Sequence, residues 1–359
     1  MARSYVYSLT NLEFEGPDIT TYPDNSWRRD TLTFPYRNLS CQLKQAAEYK
    51  NIIEQLSEEH SAGITAHLTI TGDNALPLAT ADELADAACE LLAFATKNTV
   101  YWVGREITPA LEGAPHLLRR SLGGRARNFH PGWSIIHDLV VTENGHRPEL
   151  QMFLSSVFER YVDGLRAKLQ VPLTWINESE HVGFVDLRFI TLYIAIERLR
   201  IEFLPKSAIN YIHADWQQLL DGELAIEIVR VIESRTGALS AEQKRALISK
   251  LRSANTPSAP VLLDELCLGL GVNGLEREMG VLRNRLTHSA SYGNFDFSKV
   301  IDLQYKLSHV VDVCVLKILG YDGYYCHKNT AWRNVRLPLA PSASAEPQEN
   351  TDASVVDRS

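Results

Sequence analysis

The sequence predicts an α+β N-terminal half followed by an all-α helical bundle. Three observations carry that prediction. Segments before residue 145 mix period-two apolar alternation with helical stripes, segments after Pro148 keep an i, i+3, i+4 stripe, and the polar stretch ENGHRPE at 143–149 separates them. A chain of 359 residues is long enough for two domains. The expected divisions are an α+β sensor or accessory domain at 1–145, a helical domain at 149–336, and a tail at 340–359.

In the first half, MARSYVYSLTNLEFEG reads as a strand and lacks the apolar core of an export signal. LKQAAEYKNIIEQL reads as a helix. GITAHLTIT places Ile64, Ala66, Leu68 and Ile70 on one face at period two. Thr80 and Glu83 have the spacing of a capping box that opens a helix through about Phe94. The β-branched and aromatic segments TVYWVGREI and WSIIHDLVV read as strands.

In the second half, Leu154, Val157, Phe158, Tyr161, Val162, Leu165 and Leu169 trace the first amphipathic helix. HVGFVDLRFITLYIAIERLRIEF is apolar nearly all round, which predicts a central helix. Further helices are expected over Asp215 to Ser234, over Ala241 to Ser253 behind a Ser240/Gln243 capping box, and over Pro260 to Leu270. A segment from Gly274 carries Leu275, Met279, Leu282 and Leu286 on one stripe. After a short break comes a long helix, FSKVIDLQYKLSHVVDVCVLKILG, stopped at Gly320.

Hydrophobic content of 45% and charged content of 22% are those of an ordinary globular chain. The longest apolar run, FITLYIAI, is far too short for a membrane span, so a cytoplasmic protein with no membrane contact is expected. Cys41, Cys89, Cys267, Cys314 and Cys326 show no paired spacing, and Cys326 beside His327 has no second pair to complete a metal site, so neither metal nor cofactor is expected. A net charge of −8 argues against nucleic-acid binding over the whole surface but allows a local basic site. One basic stretch is RRSLGGRAR at 119–127. The Pro/Ser/Ala-rich tail has the composition of a disordered segment.

The stretch VLRNRLTHSAS follows the apolar stripe from Gly274 and presents Arg283, Asn284 and His288. On a helix, Asn284 and His288 are neighbours, whereas Arg283 and His288 stand about 140° apart. Bringing the two together needs a distorted helix, a long reach by Arg283, or a second copy related by a two-fold axis. The residue types suit RNA cleavage without a metal. Histidine moves protons near neutral pH, arginine clamps a phosphate as charge builds on it, and asparagine orients either group. Internal attack by the ribose 2'-hydroxyl leaves a 2',3'-cyclic phosphate and a 5'-hydroxyl, chemistry closed to DNA. Spacing alone decides nothing, since Arg125 and His130 repeat it in a Gly/Pro-rich stretch. The same three residues also suit an ordinary solvated helix face.

Arg283-Asn284-x-x-x-His288, together with FVDLRFITLYIAIERL some 85 residues earlier, resembles the Arg-x(4–6)-His motif and the preceding apolar helix of the Apea-like branch of HEPN-domain proteins. The resemblance covers roughly 149–325. It implies a HEPN-type bundle and a homodimeric, metal-independent endoribonuclease with a site composed from both protomers, of the kind used as anti-phage abortive-infection effectors or toxins. It places Arg283 and His288 as the catalytic pair, Asn284 as polar helper, and Glu197 as an acidic residue orienting one of them. RNA, transfer RNA among the candidates, is the implied substrate, and the N-terminal half the implied seat of a phage-derived or nucleotide trigger. Two competing readings are a non-catalytic HEPN module that dimerises and binds RNA or nucleotide, and a regulator whose helical half only transmits. Glu197 can equally pair with Arg198 or Arg200. Lys328, Trp332 and Arg333, in the aromatic and basic segment at 321–336, are further RNA-binding candidates, although such segments also pack their rings on a bundle.

Overall fold

A computed structural model describes residues 3–22, 25–72, 76–109, 117–119, 129, 134–143, 145–204, 222–254, 257–289, 291–327 and 333–337. The N-terminal region runs β1 (Arg3–Thr10), β2 (Asp18–Thr21), β3 (Trp27–Tyr36), β4 (Leu39–Gln45), α1 (Tyr49–Glu59), β5 (Ile64–Gly72), α2 (Leu78–Thr96), β6 (Trp102–Thr108) and β7 (Leu117–Arg119). The strands form one seven-stranded antiparallel sheet in the order β2-β3-β4-β5-β1-β6-β7. Alternation decides its buried face: Tyr5, Tyr7 and Leu9 of β1 stand opposite Ile70, Leu68 and Ala66 of β5, and Cys41 and Leu43 continue the layer on β4. Helix α2 lies over this layer. Its alanines (Ala81, Ala85, Ala88, Ala95) are small enough to let it come close, and Tyr7 and Arg105 both donate to its Asp82.

A hairpin of β8 (Leu139–Thr142) and β9 (Gly145–Pro148) leads directly into α3 (Glu149–Arg160). Phe158 of α3 packs edge-on against Phe34 and Tyr36 of the sheet, at 4.9 and 5.8 Å between centroids. A π-helical turn, Tyr161–Leu165, then joins α3 to α4 (Arg166–Glu180). Tyr161 and Arg166, at the two ends of that turn, both bond Glu90 of α2. The helical region continues with α5 (Val185–Phe203), α6 (Glu223–Thr236), α7 (Ala241–Ala254), α8 (Ala259–Gly269), α9 (Arg277–Ser289) and α10 (Phe297–Leu319), and ends in a hairpin of β10 (Tyr324–His327) and β11 (Arg333–Arg336). The buried apolar residues form one continuous cluster from the sheet through to α10.

Several helix signals act as the sequence predicts. Ser240 and Gln243 exchange their capping bonds at the start of α7, and Gly320 ends α10 at φ 76°. Other expectations are corrected. LKQAAEYK does not begin a helix: Leu39–Gln45 pairs with β5, and α1 starts only at Tyr49. Helix α2 starts at Leu78 behind Pro77, which leaves Thr80 and Glu83 inside the helix rather than capping it. In WSIIHDLVV only Leu139 onward is strand; Ile135 and Ile136 are buried in a turn whose amides bond the Ala95 carbonyl at the end of α2. Ile64 faces solvent because a register shift between Leu9 and Thr10 breaks the alternation.

Helix α5 is not buried all round. Phe189, Leu192, Ile196 and Leu199 face the core, but Leu187, Ile194 and Ile201 do not, and the helix buried over most of its surface is α10. Among the described residues no helix is long and apolar enough to cross a membrane. The segment from Asp215 to 221, Arg125, His130, Lys328, Trp332 and the tail at 340–359 lie outside the described residues.

Candidate active site

Helix α9 is anchored by Met279, Leu282 and Leu286, all buried at helical spacing. It packs on α5 and α8 at Gly280, where a Cβ would sit at ordinary contact distance, 3.4 Å from the Pro260 ring and 3.8 Å from the Tyr193 hydroxyl. With those anchors turned inward, Arg283 is brought to the border with α5, while Asn284, Thr287 and His288 stand exposed.

Arg283 is held on three sides. One terminal nitrogen lies 3.4 Å from Glu197 Oε1 on α5, the other donates to Asn284 Oδ1 at 3.2 Å, and the guanidinium carbon lies 5.7 Å from the centre of the Tyr193 ring. Tyr193 and Glu197 are four residues apart on α5 and share its face. The Arg283 and Glu197 side chains are 34% and 25% exposed, and so open an ion pair is worth no more than about 1 kcal/mol to the fold. Burial pushes the Tyr193 phenol above the usual tyrosine range, with Glu197 adding to the rise and Arg283 opposing it. Its hydroxyl therefore stays protonated at neutral pH. Sequence reasoning missed Tyr193; the available signal was its i, i+4 spacing to Glu197 in YIAIE.

His288 is exposed and makes no hydrogen bond or ion pair among the described residues. Helix α9 runs regularly through Ser289, so Arg283 and His288 keep their separation of about 140°. Asn284 and His288 share the outer face. The Thr287 hydroxyl turns back on the backbone, bonding the Arg283 carbonyl at 2.9 Å and that of Asn284 at 3.3 Å. Within one chain, then, Arg283, Asn284 and Glu197 come together and His288 stands apart.

The set lies on an open helix surface. Two cavities lie elsewhere: one of about 400 Å³ between α2 and α4, the other of about 640 Å³ beside α1. A helix-surface site with a clamped arginine suits a large polyanion better than a small molecule, which needs enclosure. Among the described residues no group of His, Cys, Asp and Glu is arranged to hold a metal ion. In the 321–336 segment Tyr321 donates to Glu149 and to the Tyr324 carbonyl, and the Tyr325 ring stacks on His309 at 5.8 Å. Those rings serve packing. Arg333 lies on β11, where only its backbone is described.

Comparison with protein-family models, with curated proteins and with solved structures finds no match for this chain.

Proposed function

We propose that the protein is a HEPN-type endoribonuclease that cleaves RNA by internal attack of the ribose 2'-hydroxyl, without a metal ion, and acts in the cytoplasm in anti-phage defence or as a toxin. The observation that carries this reading is the Arg283 arrangement. Glu197 and Tyr193 orient a cation at the surface and leave it accessible, with Asn284 bonded to it and an unengaged imidazole, His288, on the same helix. Arg283 would hold the scissile phosphate and steady the charge that builds on its oxygens. His288 would take the 2'-hydroxyl proton or return one to the leaving 5'-oxygen. Because the two lie on different faces of one regular helix, a productive site would draw its arginine and histidine from two copies of the chain, which makes the protein a homodimer. The N-terminal sheet region would select the RNA or receive a phage-derived or nucleotide trigger.

The test is incubation with transfer and ribosomal RNA in EDTA, wild type beside His288→Ala, with the product ends identified. Cleavage by the wild type alone, leaving 2',3'-cyclic phosphate and 5'-hydroxyl ends, is the expected result. Equal cleavage by both proteins would remove His288 from the chemistry.

A further inference from the structure

The cavity between α2 and α4 has a volume of about 400 Å³, within the range of roughly 300–1,000 Å³ that small-molecule sites occupy. It lies where the sheet region meets the helical bundle, a junction such sites favour. Its walls come from α2, from the 99–102 segment that leads into β6, and from α4. One wall is held in place by Glu90 of α2. Tyr161 and Arg166, at the two ends of the π-helical turn, and Gln170, one helical turn further on, all donate to that carboxylate at 2.7–2.9 Å. A π-helical turn is rare and recurs at functional sites. Here it ties α4 to α2 beside the cavity, so a ligand finds the walls already set and spends little on ordering them.

The charge of the lining is one-sided. Asp86, Glu90 and Glu178 stand against one cation, Arg166, whose guanidinium is already bonded to Glu90 through two nitrogens. Asp86 accepts the indole N–H of Trp102, a neutral donor, at 2.7 Å. Asn177 of α4, also on the wall, has a side-chain oxygen with no hydrogen-bond partner among the described residues. Trp102 and Leu173 add apolar surface between these groups.

We propose that this cavity binds a small organic cation, an amine or guanidinium compound carried on an apolar or aromatic body. The carboxylates supply the counter-charge, Asn177 offers an acceptor for an N–H, and Trp102 and Leu173 cover the body of the ligand. A phosphate-bearing ligand would meet three carboxylates and a cation already engaged, so this site turns nucleotides away. Binding here does not depend on the ribonuclease reading.

The test uses the full chain and one ring in three charge states: 2-phenylethylamine, 2-phenylethanol and phenylacetate, each titrated near neutral pH and followed by ligand-observed saturation-transfer NMR. The amine is expected to bind with a Kd of about 1 mM or tighter, at least about 10-fold tighter than the alcohol, and phenylacetate to give no saturable signal. Two variants locate the binding. Thr174→Phe adds a ring to the cavity wall from an exposed position on α4 and is expected to abolish it. Asp86→Asn combined with Glu178→Gln keeps the acceptors but removes two charges, and should weaken the amine about 10-fold while leaving the alcohol unchanged. No amine binding to the wild type at about 10 mM, or phenylacetate bound as well as the amine, overturns the proposal. So does amine binding that survives Thr174→Phe, which would put the cation elsewhere, as in the acidic groove beside α1, or amine binding indifferent to the loss of the two charges.

Discussion

The chain places two sets of charged side chains where its helices meet, and they are built in opposite ways. At the junction between sheet and bundle, the Lys97 side chain is 0% exposed; its Nζ lies 2.6 Å from Asp312 of α10 and 3.8 Å from Glu180 at the end of α4, over the Phe94 ring. Glu180 is bridged in turn to Arg188 of α5. At the α5–α9 border, Arg283 and Glu197 are partly open, their separation is long, and His288, on another face of α9, has no hydrogen-bond or ion-pair partner among the described residues. Buried charges must be matched in place, because an unmatched one costs several kcal/mol. Open charges contribute little to the fold and so remain available to a ligand. The first set holds the architecture together, and the second has the accessibility that chemistry on a polyanion requires.

The largest effect should come from breaking the first set. Lys97→Met strands Asp312 in the interior and is expected to cost about 3–5 kcal/mol of stability, read as a lower urea midpoint. A loss under 1 kcal/mol would mean the junction is wetter than its geometry shows. Next comes the second set. His288→Ala should leave the urea midpoint within about 0.5 kcal/mol of wild type, because the side chain is exposed, while RNA cleavage falls about 100-fold or more. A comparable fall in stability would erase the contrast between the two regions.

Glu197→Gln is expected to have a smaller effect, about ten-fold in cleavage with little change in stability, since Asn284 and Tyr193 still hold Arg283. Unchanged cleavage would make the Glu197 contact incidental. A separate prediction concerns a third place, the groove beside α1. There burial, with Glu13 and Glu15 adding, pushes the Asp138 carboxyl up to about 8. The unfolded chain releases that proton near pH 4 and the folded chain keeps it, so stability should fall as pH rises from about 4 to 8. Asp138→Asn should flatten that fall in urea midpoints taken across the range.

How much was legible beforehand differs between the two sets. The motif helix was readable because Met279, Leu282 and Leu286 repeat at a spacing that only a helix turns to one side, and that fixes where Arg283 and His288 point. Nothing in the sequence linked Lys97 to Asp312, which are 215 residues apart and meet only because α2 ends against α10. Glu197 was a candidate on resemblance, with Arg198 and Arg200 as equal partners; packing of α9 on α5 is what brings it to Arg283, 86 residues away. The open side of α5 was hidden for a related reason. An apolar helix reads as central whether the bundle covers all of it or leaves one side bare.

By itself, the sequence determined what depends on neighbours along the chain: the change from mixed to helical texture near 143–149, the helix stripes, the Ser240/Gln243 cap and the Gly320 stop, because backbone hydrogen bonding and side-chain period act over a few residues. Tertiary structure alone decided where local signals were overruled or silent. Pairing with β5 made a strand of Leu39–Gln45, anchoring on the Ala95 carbonyl made a turn of Ile135 and Ile136, and the close approach of α5 and α9 assembled Arg283 with Glu197. In each case the deciding partner lies far away in sequence and contributes its energy only after the chain has folded.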